Sequence, residues 1–256
     1  MRHALPLIDP EVRRELYAWY RGPLGRRVAE AEQAELDRVL PDIFGYHIVQ
    51  VGAPAGRQRI DASRIPHRVV VDPDTANPAG VGLAALPEML PFATDSVDAL
   101  VLDHVLELST HPHELLREVD RTLVPDGHVI IMGFNPYSLW GLWRMAVGWR
   151  RRVPWRGRFF SGGRLKDWLL LLGFEPVAVR GFFMRPPLRH EGALERLRFL
   201  ERLQGRWCPL PPAIYVLIAR KKVMAMTPLK PRWRPRKGVL APAPVEPTPH
   251  RVRHGR

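Results

Sequence analysis

An α/β fold built on an open, largely parallel sheet is predicted by three observations in this 256-residue sequence. Four short runs, HIVQVG (47–52), RVVVD (68–72), VDALVLD (97–103) and HVIIMG (128–133), are apolar at nearly every position, as strands covered on both faces are. Leu115, Leu116, Val119 and Leu123 fall at helical spacing between the last two runs. Strand, crossover helix and strand of this size form one right-handed βαβ unit.

The remaining elements follow in chain order. Asp9-Pro10 marks a helix start, an N-cap followed by proline at the first helical position, and Gly22-Pro23 ends that helix. A second helix runs from Leu24 to Leu40 and is stopped by Pro41. The linker Ala53–His67 between the first two strands has room for a helix, although its apolar pattern is weak. Pro112 stands at the first position of the crossover helix, and Pro125-Asp126-Gly127 breaks it before the fourth strand. The helix Leu165–Leu172 ends at Gly173, EPVAVRGFF (175–183) reads as a strand, Glu191–Gln204 as an amphipathic helix, and AIYVLIAR (213–220) as a last strand.

Composition limits the function classes. A lone cysteine, Cys208, excludes an internal disulfide framework and a multi-cysteine metal site, and fits a reducing compartment. The N-terminus has no apolar run of signal-peptide length, and the longest apolar runs fall far short of the roughly 20 residues that span a bilayer. Together these features predict a cytoplasmic protein. The net charge of +13 is uneven: residues 221–256 hold ten Lys/Arg against one acid, Glu246, which leaves +4 for residues 1–220. Seven prolines between Pro228 and Pro249 exclude a packed helix or central strand there. The expected organisation is one domain over residues 1–222, with residues 1–46 as a helical cap, and a basic, Pro-rich, disordered tail over residues 223–256. The tail reads either as a solubilising extension or as an electrostatic tether to nucleic acid or anionic lipid.

The segment Leu90–Trp143 carries a family resemblance. LPF, an acidic turn, VDALVLDHVLE and REVDRTLVPDG (117–127) resemble the second half of a class I S-adenosylmethionine (SAM)-dependent methyltransferase of the type 11 group. The resemblance implies a Rossmann-like, seven-stranded α/β sheet with helices on both faces, two capping N-terminal helices and an antiparallel last strand inserted beside its predecessor. It implies SAM as cofactor, held by the loop after the first strand. There the family has an acid and alternating glycines, and this chain has Gln50, Gly52, Ala53, Pro54 and Gly56. Pro54 replaces a glycine, fixing φ and removing a donor.

Asp72 ends the second strand twenty residues beyond Gly52, where an acid commonly accepts from ribose hydroxyls, although Asp72-Pro73-Asp74 is also a turn sequence. Leu86 falls at the family's adenine-contacting acid, which leaves Glu88 or the backbone around Met89 to replace it. Asp103 and His104 close the third strand of the resemblance. Asp103 reads as a group orienting the methionine amino group or an acceptor, and His104 either as a general base or as a structural histidine. His111 and His113 read as part of a helix start, so no metal is expected. Asn135-Pro136-Tyr137 is displaced from the family's amino-methyltransferase motif and reads as a pocket-lining turn.

Between Ser138 and Phe160, four tryptophans stand among six arginines. Residues 140–158 read as packed aromatics with arginine stems, as an interfacial surface for a lipophilic acceptor or anionic membrane, or as an RNA-stacking face. The leading expectation is methyl transfer from SAM to a small or lipophilic acceptor. The other is a methyltransferase-like module without turnover that binds RNA or membrane. An NAD-binding reading is disfavoured, because Gly52-Ala53-Pro54-Ala55-Gly56 lacks the G-x-G-x-x-G spacing.

Overall fold

The computed structural model describes residues 10–73, 82–147, 157–187 and 211–222, with residues 192, 196 and 197. The elements are α1 (Pro10–Tyr20), α2 (Pro23–Val39), a 3-10 turn (Leu40–Asp42), β1 (His47–Val51), β2 (His67–Val71), β3 (Val97–Asp103), α3 (Pro112–Thr122), β4 (Leu123–Phe134), α4 (Leu139–Val147), α5 (Gly162–Leu171), β5 (Phe174–Phe182) and β6 (Ile214–Lys221). Every predicted helix or strand within the described residues is present to within a few positions, except at Ala53–His67. That linker forms turns, since its few apolar residues do not repeat at helical spacing. The helix expected at 191–204 and the tail at 223–256 lie outside the described residues.

One sheet runs in the order β2-β1-β3-β4-β6-β5. The first four strands are parallel, with Ile48 opposite Ala99 and Leu100 opposite Val129. The last strand, β6, lies antiparallel between β4 and β5, as expected. The strands number six rather than seven among the described residues. Where a further parallel strand would flank β2, a single bridge joins Val71 to Leu83.

Period-two alternation sends each strand's side chains to two separate cores. Ile48, Ala99, Val101, Ile130 and Met132 pack with Leu16 of α1 and Leu36 of α2 on one face. Val49, Leu100, Leu102, Val129 and Ile131 pack with Leu115 and Val119 of α3 and Leu165 and Leu169 of α5 on the other. Helices therefore cover both faces, and the carboxyl ends of β1, β2 and β3 are left as one edge where a ligand can meet backbone.

The turn between α3 and the regular part of β4 explains its own sequence. Asp126 has φ +63, a left-handed conformation that Asp tolerates and Gly adopts freely. Gly127 has no room for a side chain, since a Cβ there would come within 2.8 Å of the Val124 carbonyl oxygen. Asp126→Gly is therefore expected to raise stability by up to about 1 kcal/mol, read as a higher urea midpoint at unchanged m-value. A lower midpoint would refute the account.

Candidate active site

A cleft of about 280 Å³ opens at the carboxyl ends of β1, β2 and β3. Gly52, Ala53 and Pro54 supply one wall, Asp72 and Pro73 a second, and Asp103, Val105 and Leu108 a third. Helix α1 closes it with Arg13 and Tyr17, one helical turn apart on the same face. Gly52 makes the approach close. Its φ is +79, and a Cβ there would lie 2.6 Å from Val105 Cγ2 and 3.0 Å from the Asp103 carbonyl oxygen. Its N–H donates to the Val71 carbonyl at 2.8 Å, pinning the loop to β2.

Asp72 is fully buried, and its Oδ2 accepts from the Tyr17 hydroxyl at 2.5 Å and the Ala53 N–H at 3.1 Å. The carboxylate is thus fixed at the cleft and already engaged by a hydroxyl, the group a ribose would present.

Behind the cleft lies a network of charges with no solvent contact. Arg59, from the loop after β1, donates from Nη1 to both Asp103 oxygens at 3.0 and 3.1 Å, and from Nη2 to Glu32 Oε2 at 2.7 Å. His104 donates from Nε2 to Glu32 Oε1 at 2.7 Å and from Nδ1 to Glu107 Oε2 at 2.6 Å. The Tyr20 hydroxyl donates to Glu32, and Glu107 Oε1 accepts from the Phe134 N–H. Arg59, Glu32 and His104 are wholly buried, and Asp103 and Glu107 nearly so.

The charge states follow from these contacts. Burial alone would lower the His104 pKa, but Glu107 and Glu32 outweigh it and hold the imidazolium well above the ordinary histidine range. Burial would raise Glu32, but Arg59 and His104 bring it below the usual carboxylate range. At Asp103 burial wins over Arg59, and its pKa is pushed up to about 6. Three acidic side chains, Asp103, Glu32 and Glu107, thus share two basic ones, Arg59 and His104, with Asp103 at the cleft wall.

The expected site residues divide accordingly. Gly52, Ala53, Asp72 and Asp103 come together around the cleft. Gln50 is buried and serves the loop: Oε1 accepts from the Arg59 N–H at 2.8 Å, and Nε2 donates to the Gly52 carbonyl at 3.0 Å. Gly56 closes a tight turn at φ +67, its N–H on the Ala53 carbonyl. Glu88 is buried beside the lining residue Pro87 and accepts from the Ser109 hydroxyl at 2.6 Å, with its second oxygen unpartnered. Met89 is 69% exposed and does not line the cleft.

His104 departs from the general-base expectation. Both its nitrogens are held by carboxyl groups, Nε2 at Glu32 and Nδ1 at Glu107, so neither is presented to the cleft. Its φ of +54 turns it away from the cleft wall that Asp103 and Val105 form. Asn135 and Pro136 make a turn tied to the segment just ahead of β6, with Asn135 Nδ2 donating to the Pro212 carbonyl and its N–H to the Ala213 carbonyl, and neither lines the cleft. Trp140 is core, its indole N–H donating to the Arg185 carbonyl. His113 packs against Trp168 with ring centroids 4.1 Å apart and the rings tilted by 55°. Among the described residues, Glu32, Asp103 and His104 bring ligand-type atoms within 4.8 Å of one another, but the Arg59 guanidinium already supplies their countercharge.

A parallel sheet with an acid-lined cleft over its switch point, and an antiparallel strand slipped in before the edge, defines a class I methyltransferase architecture. The methyltransferase type 11 family, described as a methyltransferase domain, matches residues 52–131. The protein YafS of Escherichia coli K12, itself uncharacterized, is 33% identical over 209 residues, covering 82% of each chain. A SAM-dependent methyltransferase from Thermotoga maritima superposes with a TM-score of 0.54 at 21% identity, covering 83% of this chain and 92% of that one. Another from Archaeoglobus fulgidus gives 0.52 at 19% identity, covering 74% and 92%. The chain belongs to the class I SAM-dependent methyltransferase family, whose methyl donor is SAM.

The residues present fit that donor. Gly52 gives the close backbone approach, Asp72 an acceptor for ribose hydroxyls, and Asp103 a negative group for the methionine end. When bound, SAM supplies a methyl group activated on a sulfonium. Among the described residues no helix is long and apolar enough to cross a membrane.

Proposed function

We propose that this chain binds SAM in the cleft between α1 and the ends of β1–β3, and transfers its methyl group to a small or lipophilic acceptor. The observation that carries the reading is Asp103, which both lines the cleft and is fixed there by Arg59 at the end of a buried network of three acidic and two basic side chains. A fixed negative field beside the cleft favours the cationic methionine end of the donor over its neutral product side. The protein's own tasks are then to bind, to orient the acceptor in line and to exclude water. His104 acts by holding Glu32 and Glu107 in place, and so holds Arg59 and Asp103; it is a positioning residue. An acceptor that must lose a proton would pass it elsewhere.

The preference for a lipophilic acceptor is supported by α4, which leaves Leu142, Trp143 and Met145 exposed a few positions ahead, in sequence, of the arginine-rich residues 150–158. Leu142 and Met145 favour contact with anionic membrane over RNA, since non-aromatic side chains gain nothing from a base stack, whereas Trp143 suits either surface. The tail, at +9 from residue 221 onward, belongs to the proposal as an electrostatic tether, and a cytoplasmic setting is supported by the single cysteine.

Calorimetric titration with SAM across pH 5 to 8 tests the reading. Asp103 is ionised above about 6 and protonated below it. Affinity should therefore be flat at neutral pH and fall by up to about tenfold per unit below 6. In Asp103→Asn affinity should be weaker and that inflection absent. A folded wild-type protein with no SAM binding at millimolar concentration would sink the proposal.

A further inference from the structure

We infer that Arg13 of α1 binds the α-carboxylate of the methyl donor, making the N-terminal helix part of the cofactor site and its selector for an intact amino-acid end. The inference rests on the SAM-binding proposal above and adds a residue to it.

The donor's methionine end carries a cationic sulfonium, an ammonium and a carboxylate. The cleft offers Asp72 and Asp103 to hydroxyl and cationic groups, and neither acid can accept a carboxylate without repulsion. Among the described cleft-lining residues Arg13 is the one cation. A carboxylate entering the cleft without a partner would lose hydration uncompensated.

Arg13 is also unspent. It is half-buried, yet makes no hydrogen bond or ion pair among the described residues, and its Nε is shut off from water with no acceptor there. Arginines elsewhere in the fold are engaged: Arg59 by two carboxylates, Arg121 by Glu118 and Arg220 by Glu175. A guanidinium brought to a cleft and left without an acceptor calls for one, and a planar carboxylate is the group its fork fits.

Its position is fixed rather than incidental. Tyr17, one turn along the same face, is tied to Asp72, while Leu16 and Tyr20 on the adjoining face are buried in the core and in the charge network. The helix therefore cannot swing away without breaking both, and Arg13 stays over the cleft.

The test uses full-length protein, wild type and Arg13→Gln, titrated calorimetrically with S-adenosylhomocysteine and with its decarboxylated analogue, which keeps the adenosine, sulfur and amino group. Because Arg13 makes no hydrogen bond or ion pair among the described residues, and glutamine keeps part of its stem, the variant should fold as wild type does. Arg13→Gln is expected to weaken S-adenosylhomocysteine by about 10- to 100-fold, the range for a charge-assisted hydrogen bond. It should leave the analogue within about twofold, and wild type should prefer the acid by the same factor that the variant loses. Equal losses on both ligands, or none on either, would overturn the assignment while leaving the cofactor reading intact. A wild-type protein that binds neither ligand would overturn both.

Discussion

Arg59→Met should destabilise the protein by about 3–5 kcal/mol, the largest effect expected of any single change to the charge network. The guanidinium bonds Glu32 and Asp103 where neither carboxylate nor arginine has any solvent contact. Removing it leaves three buried carboxylates facing only the His104 imidazolium. Those acids must then take up protons or draw water into the core, and either route costs far more than the lost pair is worth in isolation. Urea unfolding at pH 7 reads the loss directly. Because the penalty lies in uncompensated negative charge, Glu32→Gln in the same chain should restore part of it, giving a coupling energy of the size that contacting residues show, about 0.5–3 kcal/mol. A loss below 1 kcal/mol, or strict additivity of the two changes, would mean that the network is not ionised as drawn. The consequence for function is that Asp103 cannot hold its place at the cleft without Arg59, so the variant should also lose SAM affinity.

That network shows why the sheet was legible in the sequence and the site only partly so. The strands announce themselves because burial on both faces demands uninterrupted apolar runs, and α3 does so through Leu115, Leu116 and Val119. One network member was readable too. Leu24, Val28, Glu32 and Leu36 repeat every four residues on α2, with Leu40 next in step just beyond its end, which places a carboxylate in the middle of an apolar stripe. A charge there must have a partner in the core. Its partner Arg59 gives no such sign, because it sits in an irregular loop whose conformation is set by Gln50 and by the network itself rather than by any periodic pattern. Asp103 and His104 were visible as polar residues ending a strand. Their separate fates, one at the cleft wall and one turned inward at φ +54, depend on a backbone angle that residue type does not fix.

Gly52→Ala should abolish SAM binding while costing the unliganded fold less than Arg59→Met does. The left-handed conformation costs an alanine about 1–2 kcal/mol. The added Cβ meets Val105 Cγ2 at 2.6 Å and the Asp103 carbonyl oxygen at 3.0 Å, so either Val105 must rotate or the loop must move off β3. Val105 and Asp103 are both walls of the cleft, so each escape deforms the space where the donor's methionine end would lie. Pro54 bears on the same point. With the glycine of the usual pattern replaced there by a residue of fixed φ and no N–H, close approach of the loop backbone depends on Gly52 more heavily than in a loop with three glycines. Thermal melting with and without ligand separates the effects. SAM at a hundredfold excess over its dissociation constant should stabilise wild type by about 2.7 kcal/mol, whereas the variant should melt at one temperature with or without it. If SAM raised both melting temperatures equally, the donor would not be held by this loop, and the cleft would belong to another ligand.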